Sequence, residues 1–144
     1  MLQALAPELS ALRVDLIEQP IPLEHGDQLA NLPRIVPICA DEPANTVEDL
    51  PALVGNYDFV NIKLDKSGGL TAALDLARAA RTAGLRLMVG CMMGSSLAMA
   101  PALLLAQLCE VADLDGPLLQ KDDWPHGIVY REGLMSPASP ALWG

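Results

Sequence analysis

The chain has 144 residues, enough for one domain or for part of a larger one, and 51% of them are hydrophobic, chiefly Leu, Ala, Val and Met with few aromatics. Its formal net charge of −9 has no basic run to offset it. Such a surface repels phosphate backbones and anionic lipid, so no nucleic-acid partner and no membrane partner is expected. Three cysteines (Cys39, Cys91 and Cys109) without a CxxC argue against a disulfide framework or a structural zinc site. The N-terminus carries acidic residues and no long apolar core, unlike a signal peptide. The longest apolar run, Leu97 to Leu108, holds Pro101 and Gln107 and is too short to span a bilayer. A cytoplasmic location is therefore expected.

The pattern along the chain alternates. A helical segment over Leu2–Leu12 precedes a strand at Arg13–Glu18, closed by Gln19-Pro20. Leu23–Arg34 reads as a short or irregular helix because of Gly26, and Ile35–Asp41 is a second strand, closed by Glu42-Pro43. Thr46 and the acidic residues after it predict a capped helix ending near Gly55. Phe59–Leu64 is a third strand. Leu70–Thr82, Ala-rich and of helical period, stops at Gly84. Leu85–Gly90 is the fourth strand, Ser95–Glu110 a helix and Val111–Asp115 the fifth strand. From Leu118 the pattern dissolves into a tail with a small hairpin near Gly127–Leu134. Trp124 and Trp143 are expected to pack this tail. Continuous apolar strands alternating with amphipathic helices predict an α/β fold with a parallel sheet.

Glu18, Asp41 and Lys63 recur at intervals of 23 and 22 positions. That pitch fits either a doubly wound sheet or a piece of a (β/α)₈ barrel, and the charges help to decide. Four of the five strands end on a charged residue: Glu18, Asp41, Lys63, and the pair Asp113 and Asp115. A charge in a buried strand costs several kcal/mol unless it is paired or binds a metal. At C-terminal strand ends of a barrel these side chains converge on one rim, the face that carries active sites. A bland role exists for each alone, since a strand-end carboxylate can cap the next helix. Asp113 and Asp115, two apart on a strand, point to one side and form a site for a cation. Lys66-Ser67-Gly68-Gly69 could cradle an anion, but a tight strand-to-helix turn is the simpler reading. His25 and His126 fall in loop-like segments. Glu42 is either a partner of the lysine or a turn residue.

Taken in order, L-I-E-Q-P (16–20), A-D-E-P (40–43), N-I-K-L-D-K-S-G-G (61–69), G-C-M-M-G-S-S (90–96) and D-L-D-G-P (113–117) resemble barrel strands four to eight of the enolase superfamily, in its muconate-lactonizing subgroup. D-L-D-G-P and the closing P-A-L-W-G are similar to the L-Ala-D/L-Glu (dipeptide) epimerases. The resemblance implies a partial (β/α) barrel over residues 1–117 and a tail over 118–144 that packs on an N-terminal capping domain. It further implies Glu18 and Asp41 as ligands of an essential Mg²⁺ and Lys63, not Lys66, as the acid/base lysine. Asp113 and Asp115 would hold the substrate's α-ammonium group, with Cys91 and Met92 lining the pocket. The implied reaction is Mg²⁺-dependent epimerisation of dipeptides by proton transfer through an enediolate. Alternatives are an N-acylamino acid racemase, an o-succinylbenzoate synthase, a muconate cycloisomerase or a non-catalytic half-barrel remnant.

The family's K-x-K motif, its first metal-ligand aspartate, barrel strands one to three and the capping domain have no counterpart in these 144 residues. Five parallel strands cannot close an eight-stranded barrel. The expected partners are thus a small dipeptide and either a missing N-terminal half or further copies of the chain. The chain alone is expected to bind Mg²⁺ weakly and to turn over poorly.

Overall fold

A computed structural model describes residues 2–144. Helix α1 (Leu2–Ala11) ends where Arg13 turns left-handed at φ 59°. Its N–H donates to Ser10 O and that of Val14 to Leu9 O, a Schellman closure with arginine where glycine is usual. Strand β1 (Ile17–Glu18), a 3₁₀ segment (Leu23–Asn31), β2 (Ile38–Ala40), a second 3₁₀ turn (Val47–Asp49), α2 (Leu50–Leu53) and β3 (Phe59–Ile62) follow. Then come α3 (Leu64–Ser67), α4 (Leu70–Thr82), β4 (Arg86–Val89), α5 (Ser96–Ala106) and β5 (Val111–Ala112). A 3₁₀ turn (Gly116–Leu119) and an antiparallel hairpin of β6 (Tyr130–Arg131) and β7 (Leu134–Met135) complete the chain.

The first five strands form one sheet in sequence order β1-β2-β3-β4-β5, every pair parallel. Helix α4 shows why the pattern was readable. Its buried residues Ala73, Leu76, Ala77 and Ala80 follow the i, i+3, i+4, i+7 rule. It stops at Gly84, φ +84°, where Leu85 N–H reaches Ala80 O.

The sheet separates two apolar clusters by strand parity. Ile38, Ala40, Val60, Ile62, Leu87 and Val89 face the helices and join the main core with Leu76, Ala77, Met99 and Leu105. Cys39, Phe59 and Met88, with Leu16 and Val111, pack on the opposite, concave face. At the N-terminal end of that face Arg86 stacks 4.1 Å over the Phe59 ring and pairs with Glu110.

Every predicted strand is longer than the strand observed, and so is the helix from Ser95; three of these differences bear on the rest of the fold. The first strand pairs only at Ile17–Glu18 because it has a neighbour on one side alone. Helix α5 ends at Ala106 rather than Glu110, where Leu108 N–H to Leu105 O and Cys109 N–H to Ala106 O tighten the last turn. The fifth strand stops at Ala112, so Asp115 lies not on a strand but in the turn that opens Gly116–Leu119.

The tail is fastened by Asp123. Its carboxylate accepts from Ser96 N–H (2.9 Å), Trp124 N–H (2.8 Å) and the Ser96 hydroxyl. Ser96 Oγ in turn accepts from Ile128 N–H at 2.8 Å, so the tail caps α5 from a distance in sequence. Tyr130 Oη donates to Leu114 O at 2.7 Å. The tryptophans do not pack the tail as expected: Trp124 is 57% and Trp143 41% exposed, and backbone and carboxylate bonds hold the segment instead. Slight burial would raise the Asp123 pKa, but the Ser96 and Trp124 donors outweigh it and hold it below the ordinary value. The cap is therefore present at neutral pH and lost as pH falls through that depressed value. Asp123→Ala is expected to destabilise the chain by about 1 kcal/mol at pH 7, measured by urea unfolding, with the difference vanishing in acid.

Candidate active site

The concave face changes character toward the C-terminal strand ends. Glu18 pairs with Cys39 in register, Ala40 with Val60, Asn61 with Met88, and Val89 with Ala112. Just beyond the last pair of each ladder, which for β3 and β4 is Ile62 with Val89, stand Asp41, Lys63, Gly90 and Asp113. Asp113 N–H still reaches Val89 O and Gly90 N–H reaches Ile62 O. Glu18, Asp41, Asn61, Lys63 and Asp113 thus share one rim, above the Cys39, Phe59 and Met88 layer.

Asp41 is the hub. One carboxylate oxygen takes Lys63 Nζ at 2.8 Å and the other takes Lys66 Nζ at 2.7 Å. Lys66 also donates to Asp41 O at 2.5 Å. The three side chains are only 11–15% exposed. Burial would raise the Asp41 pKa, but the hydrogen bonds and charges of Lys63 and Lys66 outweigh it and hold it below the ordinary carboxylate range. Burial would likewise lower that of Lys63, but Asp41, followed by Glu18 and Glu42, holds it above the ordinary lysine value. Gln19, turned left-handed at φ 38°, accepts from Asp41 N–H at 3.0 Å and donates to Ile21 O. It fixes the backbone from which Asp41 projects.

Glu18 is held differently. Asn61 Nδ2 donates to Glu18 Oε1 at 2.6 Å, and Asn61 is 1% exposed. Its Oδ1 is buried without a hydrogen-bond partner. Leaving a buried acceptor unmet costs about 1–3 kcal/mol.

Asp113 and Asp115 meet through the turn rather than through strand parity. Burial, then the Asp115 charge and a side-chain hydrogen bond with Asp115, raise the Asp113 pKa. Both also line a groove of about 520 Å³ closed by Tyr130, Arg131 and Met135 of the hairpin. Cys91 is half-buried and its pKa is raised, burial outweighing the Gly116 N–H that points at its sulfur. Met92 is 48% exposed. A Cβ on Gly116 would lie 3.0 Å from Met92 O and 3.1 Å from Gly94 N, so glycine lets the D-L-D-G-P turn lie against the G-C-M-M-G turn. Glu42, His25 and His126 are exposed.

Gln19, Asn61 and the pairing of Lys66 were missed in the sequence. Asn61 was detectable: it is polar in an otherwise apolar strand, two residues before Lys63 and so of the same parity. The Lys66 pairing had no local signal.

Glu18 and Asp41 are hard oxygen donors from neighbouring strand ends, the donor type that Mg²⁺ takes. Among the described residues no group of three His, Cys, Asp or Glu side chains is arranged to hold a metal ion on its own. The orphaned Asn61 carbonyl supports the fit, because an unfavourable buried group is kept where it holds Glu18 in place.

The profile of the enolase C-terminal domain-like family matches residues 1–139, and the chain belongs to that family. Over 136 residues it is 54% identical to an N-acetyl-D-glutamate racemase from Pseudoalteromonas sp., covering 94% of this chain and 43% of that protein. It is 49% identical to the L-Ala-D/L-Glu epimerase of Escherichia coli K12, covering 87% of this chain and 39% of that protein. An enolase family member from Agrobacterium tumefaciens with homology to dipeptide epimerases, solved with sodium and L-Ala-L-Glu, superposes with a TM-score of 0.94 at 48% identity, over 99% of this chain and 44% of that one. A dipeptide epimerase from Methylococcus capsulatus, solved with Mg and L-Arg-D-Lys, gives 0.85 at 35% identity over 94% and 41%. The five parallel strands are thus a curled half-barrel, and the chain spans about two fifths of the length of these relatives. No helix among the described residues is long and apolar enough to cross a membrane.

Removing the hub leaves two lysines facing each other. Asp41→Ala is expected to cost about 3 kcal/mol at pH 7. The Asp41 contribution is lost as pH falls through its depressed value, and the Lys63 contribution as pH rises through its raised value. Urea unfolding of both proteins from pH 2 to pH 11 should show the gap widest between those limits.

Proposed function

We propose that these residues form the C-terminal barrel segment of a Mg²⁺-dependent epimerase of L-Ala-D/L-Glu-type dipeptides. The observation that carries the reading is the convergence of Glu18, Asp41, Lys63 and Asp113 on one rim of a parallel half-barrel, with Asp115 beside them. Glu18 and Asp41 would hold the cation. When bound, Mg²⁺ supplies positive charge that stabilises an enediolate. Lys63 would carry the α-proton on its side of the substrate carbon; the Asp41 contact that holds Nζ protonated here would be given up when Asp41 turns to the cation, so that Nζ receives the proton as a neutral amine and returns it as an ammonium. Asp113 and Asp115 would take the dipeptide's α-ammonium, with Cys91 and Met92 lining the approach. The exposed face of residues 118–144, which includes Leu118, Leu119, Val129 and Leu134, would pack on a capping domain.

A second reading is favoured by one finding, the 54% identity to an N-acetyl-D-glutamate racemase. An acylated substrate brings no ammonium to Asp113 and Asp115. A neutral acyl group there would leave both carboxylates without a cationic partner, so this reading needs a donor from outside these residues at that end of the substrate. The two readings share the cation, Lys63 and the enediolate, and differ only at the amino end.

The test joins this chain to the N-terminal region of the Pseudoalteromonas racemase and follows α-proton exchange in D₂O by NMR. L-Ala-L-Glu is expected to epimerise, and Lys63→Ala to lower the rate by about 10³-fold. Near-normal turnover in that variant would remove Lys63 from the reaction. Acetylating the dipeptide is expected to lower kcat/KM by about 10²-fold at pH 8, since each factor of ten is about 1.4 kcal/mol. The penalty should shrink as pH falls and Asp113 takes a proton. Faster exchange of N-acetylglutamate than of L-Ala-L-Glu would instead establish the racemase reading.

A further inference from the structure

We propose that Asn61 is a positioning residue that aims the Glu18 carboxylate at the cation, and that position 90 is glycine to make room for it. The inference rests on the metal reading above and deepens it.

Asn61 sits on β3, the central strand, and its side chain reaches past β2 to Glu18 on β1, the edge strand. A carboxylate only accepts hydrogen bonds, so the atom facing Glu18 must be the amide nitrogen. That choice orients the whole amide and leaves Oδ1 buried without a donor. An interior selected for stability alone would place an apolar side chain of similar size here, since a half-satisfied buried amide is worse than none. The group is kept where Glu18, on a strand with a single neighbour, has least support from the sheet.

Gly90 has the complementary role. It is not among the glycines with positive φ, so backbone freedom does not explain it. A Cβ there would lie 2.6 Å from Asn61 Oδ1, 2.7 Å from Nδ2 and 3.0 Å from Cγ. Below it on the same strand stand Met88 and Arg86, both large. Asn61 pairs in register with Met88, and the glycine stands two residues further toward the rim, where the amide reaches.

The experiment titrates the 144-residue chain with Mn²⁺, reading water-proton relaxation, and records thermal unfolding of each variant. Asn61→Leu is expected to unfold no lower than the wild type and to bind Mn²⁺ about 10- to 100-fold more weakly, the usual effect of losing a group that orients a ligand. Gly90→Ala keeps every charge and hydrogen-bonding group but displaces the amide, and is expected to weaken Mn²⁺ similarly. In Asn61→Ala/Gly90→Ala the collision is gone, so stability should recover while affinity does not. Glu18→Gln is the control. If Glu18→Gln weakens Mn²⁺ but Asn61→Leu and Gly90→Ala bind as the wild type does, the positioning role is overturned and the metal reading stands. If Glu18→Gln binds as the wild type does, the metal reading fails and takes this inference with it.

Discussion

The two-residue period of a parallel strand, bent into a curl, is the constraint on which the molecule depends. Every second side chain of β1 to β5 faces the concave side, and the ladder registers align those side chains into layers. The lower layer can be apolar, and Cys39, Phe59 and Met88 fill it. The next layer lies where the strands run out toward solvent, and there charges and amides become affordable. Glu18, Asp41, Asn61, Lys63 and Asp113 are neighbours because of this geometry, although they are spread over most of the chain.

Charge is balanced locally in that layer. Asp41 faces two lysines, so one carboxylate neutralises only part of the positive charge around it, and Glu18 and Glu42 add to the field at Lys63. Around Asp113 and Asp115 the balance is opposite: two carboxyl groups share a turn, and one holds its proton more tightly for it. The Asn61 amide belongs to neither region and satisfies only Glu18.

Much of this was legible in the sequence because the responsible patterns are local. The 70–82 helix declares itself through Ala73, Leu76, Ala77 and Ala80 and stops at Gly84. The strand-end charges stand out against apolar runs, and five ordered motifs point to the family. What was not legible depends on distant partners or on the ends of ladders. The fifth strand was read through Asp115 because D-L-D alternates, but the Gly116-Pro117 turn begins first. The helix from Ser95 was read to Glu110 because nothing local shows that its last turn tightens. Asp123 capping α5, Lys66 reaching Asp41 and Gly90 clearing space for Asn61 join residues 25 to 29 positions apart, and no short window of sequence contains both members. The tryptophans were assigned to packing on hydrophobicity alone, whereas the tail is held by polar bonds.

The central claim is that the rim of this half-barrel holds a dication through Glu18 and Asp41. Its most direct measurement is anomalous scattering from crystals of the chain grown with Mn²⁺. The expected result is a peak bridged by the Glu18 and Asp41 carboxylates, with at least one of Lys63 and Lys66 released from Asp41. A rim without a peak, with both lysines still on Asp41 at saturating Mn²⁺, would contradict it.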